Sequence, residues 1–276
     1  MKGMSITWPD GKRIAILLAF DIDGELLWFL RNDRNLKHLT NQSRGRYATK
    51  QAVPRILKLL REEELHATFF TPAWIAENYP EVARAIHDEG HEIGYHGWMH
   101  EAEKTRAKER ALMDKVDRIY TNLIGVKPVG HRAPEGDIYD YSLKLWHERG
   151  YIYSSNWRDS DGPFIHELNG KRIPLVELPK DSIFDDTAYD FYTECLPQRH
   201  GLRSGREMCT VWKDEFDALA EEGRMINFVM HPQFMGRPGN IRPFRELIHY
   251  MKDNGAWFAT NEECARYVLK QNGMLE

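Results

Sequence analysis

Ile14-Ala15-Ile16-Leu17-Leu18-Ala19-Phe20 is a run of seven apolar residues that ends in Asp21-Ile22-Asp23-Gly24-Glu25. A short, continuous apolar run of this kind reads as a strand buried on both faces, as in parallel sheets. Outward from it, one pattern recurs. A helical stripe ends in glycine and a short apolar strand follows, at Gly90, Gly125, Gly150, Gly223 and Gly255. Glycine just past a helix tolerates the left-handed backbone that closes the last turn. Helix, glycine, strand, repeated along the chain, indicates an α/β protein with a largely parallel sheet. Seven or eight candidate strands in this order suit a distorted (β/α) barrel, closed or nearly closed. An open doubly wound sheet is the alternative that periodicity leaves standing.

Between these landmarks the reading is coarser. Residues 49–63 form a helix with the stripe Val53, Ile56, Leu57 and Leu60, and Pro54 falls in its first turns, where proline is tolerated. A strand follows at 67–71, a helix at 80–88, and a long helix from about 104 with the stripe Leu112, Val116, Ile119 and Leu123. Residues 24–48, polar and rich in Arg and Asn, read as a long loop, a length that usually serves a site. Residues 156–212 break the rhythm and read as an insertion that packs over the barrel mouth or makes a subunit contact. Nothing in them resembles a linker, so residues 1–276 read as one domain.

Composition narrows the function. With 42% hydrophobic and 29% charged residues the chain matches an ordinary globular protein. A net charge of −4 offers no basic surface for nucleic acid. The apolar run at 14–20 is too short for a membrane span and has the wrong flanks for a signal peptide, so the expected location is cytoplasmic, with no membrane partner. Cys195, Cys209 and Cys264 form no Cys-x-x-Cys pair and suggest no disulfide frame. The 12% aromatic content and the 156–212 segment leave room for a homo-oligomer contact.

The informative fact is where the unusual polar residues fall. Asp21 and Asp23 follow the first strand. His96 and His100 follow the strand that ends at Tyr95. His131 and Arg132 follow Val129-Gly130, and His231 follows Phe228-Val229-Met230. Sites in barrels and open α/β sheets form at the carboxyl ends of parallel strands, so these clusters converge on one mouth. On a helical turn, the four-residue spacing of His96 and His100 would put both imidazoles on one face, although Gly97 counts against a regular helix. Two imidazoles and a carboxylate make a metal site. No Gly-x-Gly-x-x-Gly or Walker loop follows the first strand, which lowers nucleotide readings.

Taken together, these stretches resemble the polysaccharide deacetylases of the nodulation-protein-B type. The family's Asp-Asp-Gly, His-(Ser/Thr)-x-x-His, Arg-x-Pro and Leu-x-His motifs stand here, in order, as Asp21-Ile22-Asp23-Gly24, His96-Gly97-Trp98-Met99-His100, Arg132-Ala133-Pro134 and Val229-Met230-His231. Three departures occur. Ile22 separates the aspartates, Gly97 replaces the hydroxyl residue, and Glu135 replaces the usual aromatic after Pro134. These look like a cytoplasmic branch that includes Helicobacter-type peptidoglycan deacetylases, allantoinase-like proteins and cyclic imide hydrolases.

The resemblance implies Asp23, His96 and His100 as metal ligands, Asp21 as general base, Arg132 as the residue that orients it, and His231 as general acid. It implies one divalent metal ion, zinc by default, with Co, Ni, Mn or Fe also suited to the ligand set. The reaction it implies is hydrolysis of a non-peptide carbon–nitrogen bond by a metal-activated water. The substrate is then a small-molecule amide, an imide or an N-acetylated sugar. Trp98 and Glu135 are candidate substrate contacts. Ring opening of a cyclic imide or allantoin-type ureide at the same site is the alternative activity. A non-catalytic protein that keeps the fold is the remote one.

Overall fold

The computed structural model describes residues 6–29, 36–136, 138–191 and 202–275. Cys195, His200 and Tyr192 lie outside the described residues. The opening apolar run is two strands rather than one, β1 (Ile14–Leu17) and β2 (Ala19–Asp21), with Leu18 between them. The strand β3 (Thr68–Thr71) pairs in parallel with β2. Next to it run β4 (Glu92–Tyr95), β5 (Gly130–His131) and β6 (Tyr153–Ser154), each parallel to the last. A hairpin of β7 (Phe164–Leu168) and β8 (Lys171–Glu177) follows, with β8 parallel to β6 and β7 antiparallel at the edge. Finally β9 (Met225–Asn227) and β10 (Ala256–Ala259) flank β1, both parallel to it. The two sheets meet through the β1–β2 bend and the Phe20–Met230 bridge. The strands thus wrap in near-sequence order into a distorted barrel that is not a single closed ring of ladder bonds.

The segment 24–48, read as a loop, holds two helices, α1 (Leu26–Phe29) and α2 (Leu39–Tyr47). Periodicity missed α2 for a physical reason. Its buried residues are Asn41 and Gly45, not an apolar stripe. A Cβ at Gly45 would lie 2.4 Å from the Cα of Glu25, so the helix rests backbone to backbone on the turn after β2. From α2 the chain runs through a π-helical turn, Ala48–Ala52, into α3 (Val53–Glu62). Pro54 therefore sits inside a long helical rod rather than near its start. The widened turn before it accommodates the proline ring and its missing N–H.

The remaining helices alternate with the strands. They are α4 (Ala73–Asn78), α5 (Pro80–Asp88), α6 (Arg106–Ile124), α7 (Ser142–Glu148), α8 (Thr187–Asp190), α9 (Gly205–Glu221), α10 (Pro232–Met235), α11 (Pro238–Asp253) and α12 (Asn261–Gln271). All five punctuating glycines take positive φ, from 69° to 86°. Within residues 156–212, β8 is an integral parallel strand and α9 packs on α11. Pro174 disguised β8, because proline argues against a strand interior. Here it falls in the irregular stretch of the β7–β8 pairing, where the ladder does not need its N–H.

Alternation along the strands sorts side chains into two layers. Ile14, Ile16, Leu18 and Phe20 pack with the helices, together with Ile56, Leu60, Trp146 and Phe244. Ala15, Leu17 and Ala19 face inward with Phe70, Tyr153, Val176 and Met225. Space inside is tight. A Cβ at Gly130 would lie 1.9 Å from the Tyr153 ring. Gly130→Ala is therefore expected to cost about 1–3 kcal/mol through overpacking. Urea unfolding of the variant tests this, and an unchanged midpoint would count against so close a contact.

Candidate metal centre

The inward parity that begins at Ala15 carries through to Asp21 at the end of β2. The same parity on β4 runs Glu92, Gly94, His96, and on β5 it runs Gly130, Arg132. Each strand thus delivers one polar side chain to the inside at its carboxyl end. His131, one residue out of phase, points the other way. It stacks on Tyr95 at 4.9 Å and on Trp146 at 4.3 Å. Burial, helped by His96, holds its pKa well below the ordinary value, so it is a neutral core histidine. Of the four sequence clusters, this is the one residue that does not join the site.

Asp23 is the centre of the arrangement. It is 1% exposed, yet neither carboxylate oxygen has a hydrogen-bond donor among the described residues. Its Oδ1 lies 3.4 Å from His96 Nε2 and 3.5 Å from His100 Nε2, and its Oδ2 lies 3.5 Å from His231 Nε2. Burial would raise its pKa, but His100, His96 and His231 outweigh that and hold it below the usual carboxylate range. His96 Nε2 is likewise buried without a partner. Its other nitrogen, Nδ1, donates to the Arg132 carbonyl at 2.8 Å, which fixes the tautomer and leaves the Nε2 lone pair aimed at Asp23. Burial, the largest influence on His100, lowers its pKa despite Asp23 and favours the neutral form a ligand needs. Unpaired buried carboxylate oxygens are costly unless a cation satisfies them. The ligand atoms of Asp23, His96 and His100 lie within 4.8 Å of one another, and this donor set fits a divalent metal.

The two histidines do not sit on a helical turn. His96–His100 is a tight loop with Gly97 at φ 73° and His100 at φ 61°. A side chain at Gly97 would press on Glu101, with its Cβ 2.7 Å from the Glu101 carbonyl oxygen, which accounts for glycine at this place in the motif. Left-handed backbone at a histidine is a strained choice that functional loops sustain when their surroundings enforce it. Here the Ala73 and Trp74 N–H groups donate to the Gly97 and Trp98 carbonyls and pin the loop to α4. Trp98 is itself engaged. Its indole N–H donates to Glu77 at 2.6 Å and its ring carries the Lys115 ammonium. Glu135 is exposed at φ 53°, close enough for its charge to act on His100.

Beside these candidate ligands lies a buried charge network. Arg132 is 0% exposed and donates to Asp21 Oδ1 at 2.6 Å, Ser155 Oγ at 3.1 and 3.2 Å, Asn227 Oδ1 at 3.0 Å and the Phe228 carbonyl at 3.2 Å. Its guanidinium also lies 4.1 Å from the centre of the Phe70 ring. Burial raises the Asp21 pKa, but Arg132, then His96 and His231, prevail and hold the group ionised. Half-buried Lys180 adds positive charge nearby. Burial and Arg132 push its pKa down to about 8 against the pull of Asp21 and Asp185.

Sequence reasoning missed the partner of His231. Asp186 is fully buried and takes both the backbone N–H and Nδ1 of His231, each at 2.8 Å. Asp185 stands 3.8 Å from the same Nδ1. The Asp185-Asp186 pair sits in the segment read as an insertion, so its only signal was two adjacent acids after an apolar residue. Ser155 and Asn227 were missed too, since neither type stands out without its inward parity.

Comparison with known proteins agrees with this geometry. A protein-family model described as polysaccharide deacetylase matches residues 32–154, a span that holds His96, His100 and Arg132. A peptidoglycan deacetylase of Helicobacter pylori is 28% identical over 95% of this chain and 98% of its own. A crystal structure of a Mycobacterium smegmatis protein classed as a polysaccharide deacetylase superposes with a TM-score of 0.93 at 29% identity, over all of this chain and 96% of the other. The chain carries a polysaccharide deacetylase match over residues 32–154 and is similar to such proteins along nearly its whole length. With its deacetylase homologues it is a hydrolase of carbon–nitrogen bonds other than peptide bonds. The deacetylase fold also extends to the allantoinase PuuE, with a TM-score of 0.81 and 25% identity over 95% of this chain and 92% of that one. Among the described residues no helix is long and apolar enough to cross a membrane.

Proposed function

We propose that this deacetylase-family protein hydrolyses a non-peptide amide bond with a divalent metal held by Asp23, His96 and His100. The observation that carries the reading is the buried Asp23 carboxylate, which has no hydrogen-bond donor among the described residues yet is surrounded by imidazole Nε2 atoms. A divalent cation there supplies Lewis acidity to a carbonyl and to water. The chain's own groups handle the protons. Asp21 Oδ1 is bound to Arg132, which leaves Oδ2, 3.9 Å from His96 Nε2, to take a proton from the attacking water. As the water oxygen bonds to the carbonyl carbon and the carbon–nitrogen bond breaks, the leaving nitrogen needs a proton. His231 offers one from Nε2, because Nδ1 is held by Asp186.

This pairing has a pH signature. Burial pulls the His231 pKa down, but Asp186, supported by Asp185 and Asp23, overcomes it and lifts the imidazole to about 10. The acid form is therefore present at neutral pH and is lost only as pH rises through that value. Removing the Asp186 charge lowers the pKa, so the proton leaves earlier. Asp186→Asn is expected to move the alkaline limb of kcat towards the ordinary histidine value of about 6.5, with rate at pH 8 down roughly 30-fold. A pH–rate profile measures it, and an alkaline limb that stays put removes His231 from the role.

Zinc is the default metal for two imidazoles and a carboxylate, and Co, Ni, Mn and Fe accept the same set. For the substrate, likeness to peptidoglycan deacetylases supports an N-acetylated sugar. A second reading, ring opening of a cyclic imide or ureide, is favoured by the allantoinase likeness and by exposed Glu135 where the family has an aromatic residue. Assaying acetylated chitooligosaccharides beside succinimide, hydantoin and allantoin separates the two.

A further inference from the structure

Strand β8 keeps the inward parity of its neighbours beyond its last ladder bond. Val176 and Leu178 face inside with Tyr153 and Met225, and two residues further on comes Lys180. Its backbone N–H donates to the Trp157 carbonyl at 3.1 Å, which holds it at the carboxyl end of the sheet. The charges that act most strongly on its ammonium are Arg132, Asp21 and Asp185, followed by Arg158. Asp21 is the candidate base, and Asp185 stands 3.8 Å from His231 Nδ1, so Lys180 sits beside the metal centre. Its ammonium has no hydrogen bond and no ion pair among the described residues, and the mechanism above makes no use of it.

Lys180 lines a cavity of about 250 Å³ together with Asn227, which accepts from Arg132 at 3.0 Å. Unlike the Asp23 oxygens, the ammonium is not sealed in, so it faces open space. Arg158, exposed and also without a hydrogen bond or ion pair among the described residues, lines the same cavity. It rests on the loop that follows Arg132, where a Cβ at Gly136 would lie 2.9 Å from its Nη2. Two cations that share a cavity without counter-ions repel each other. Burial, then Arg132, already holds the Lys180 pKa down at about 8, the direction an unpaired ammonium takes. A bound anion offsets both costs. The other charges on the cavity wall are Asp161, Asp181 and Glu215. Asp181 accepts from the Ile183 N–H at 3.0 Å, and none of the three acts on Lys180 as strongly as Asp21 and Asp185 do.

Those acids decide how much negative charge the cavity accepts. Two cations among three carboxylates suit a monoanion, whereas a phosphate dianion meets twice the repulsion from the acids. A carboxylate carries one charge on two acceptor oxygens, and both an ammonium and a guanidinium give it charge-assisted hydrogen bonds. We propose that Lys180 is a specificity-determining residue which, with Arg158 at the rim, holds a carboxylate of the substrate while the substrate's amide lies at Asp21 and Asp23. This assignment rests on the hydrolase reading above and narrows its substrate to acidic amides.

The test uses the full chain loaded with zinc, as wild type, Lys180→Met and Lys180→Arg, with acetate release as the readout. Three sugars differ only at C6: N-acetylglucosamine, its C6 carboxylic acid and its 6-phosphate. N-acetyl-β-alanine and N-acetyl-β-alaninamide make a second matched pair without a sugar. Wild type is expected to favour the carboxylate over its neutral partner roughly 10- to 10²-fold in kcat/KM, the value of one charge-assisted hydrogen bond. The pair that shows the preference identifies the source of the carboxylate. In Lys180→Met the ratio should fall to about one, and Lys180→Arg should keep part of it. A ratio taken within one variant is blind to any loss of fold or metal that both substrates share. An unchanged ratio in Lys180→Met, a wild type without preference, or a preference for the 6-phosphate over the carboxylate overturns the proposal. A wild type inert on all five, and on the oligosaccharides and imides above, defeats the hydrolase reading. Binding of methyl glucuronide against methyl glucoside, neither of which has an amide, then still decides Lys180. Tighter binding of the acid that is lost in Lys180→Met upholds its role, and equal binding ends it.

Discussion

Replacing His100 with glycine is expected to remove metal and activity together while leaving the fold at least as stable. His100 is one of three protein groups that converge on the candidate cation, and its Nε2 stands 3.5 Å from Asp23 Oδ1. Its loss leaves Asp23 and His96, too few to hold a catalytic metal firmly. Lewis acidity is worth several kcal/mol at the transition state, so kcat/KM should fall about 10³-fold or more. The backbone points the opposite way. His100 lies at φ 61°, where a side chain costs roughly 1–2 kcal/mol and glycine does not. The metal-free variant should therefore melt no lower than metal-free wild type. Elemental analysis, kinetics and melting read the three quantities separately. A variant that keeps one equivalent of metal, or keeps its rate, would remove His100 from the site.

The second large effect is expected at Arg132. It is wholly buried and pairs with Asp21 at 2.6 Å, while Ser155, Asn227 and the Phe228 carbonyl complete its bonds. Arg132→Met leaves a buried carboxylate and several polar groups without partners. Breaking one side of such a pair costs about 3–5 kcal/mol. Arg132→Lys should rescue little, because an ammonium cannot reproduce the planar fork.

The cost also depends on pH. In the intact protein Asp21 has a folded pKa below its unfolded one, so the pair contributes stability above the unfolded value and loses it as pH falls through the folded one. Without Arg132, burial raises the Asp21 pKa, and protonation in mild acid relieves the penalty. Urea unfolding should show the gap from wild type widest at neutral pH and narrowing as pH falls. Asp21→Asn added to Arg132→Met should restore part of the loss. A deficit under about 1 kcal/mol at pH 7 would mean the network is not the support described here.

Most of the site was legible before any coordinates. Asp21, Asp23, His96, His100, Arg132 and His231 stand out because polar residues directly after apolar runs are hard to place anywhere but a strand end. The three that escaped notice did so for different reasons. Asp186 hides in a segment whose route cannot be read from periodicity. Ser155 and Asn227 are ordinary residue types that matter only through the parity they share with Tyr153 and Met225. Helix α2 was invisible because its contact with the rest of the fold is made by backbone at Gly45.

The sequence by itself determined the broad alternation of helices and strands and the list of groups able to bind a metal. These depend on local properties: apolar periodicity, glycine at helix ends, and residue chemistry. Only the tertiary structure decided that β1 and β2 split between two sheets, that His96 and His100 meet through a left-handed loop, and that Asp186 holds His231. Each of those rests on contacts between residues far apart in the chain, and no window of neighbouring residues carries that information.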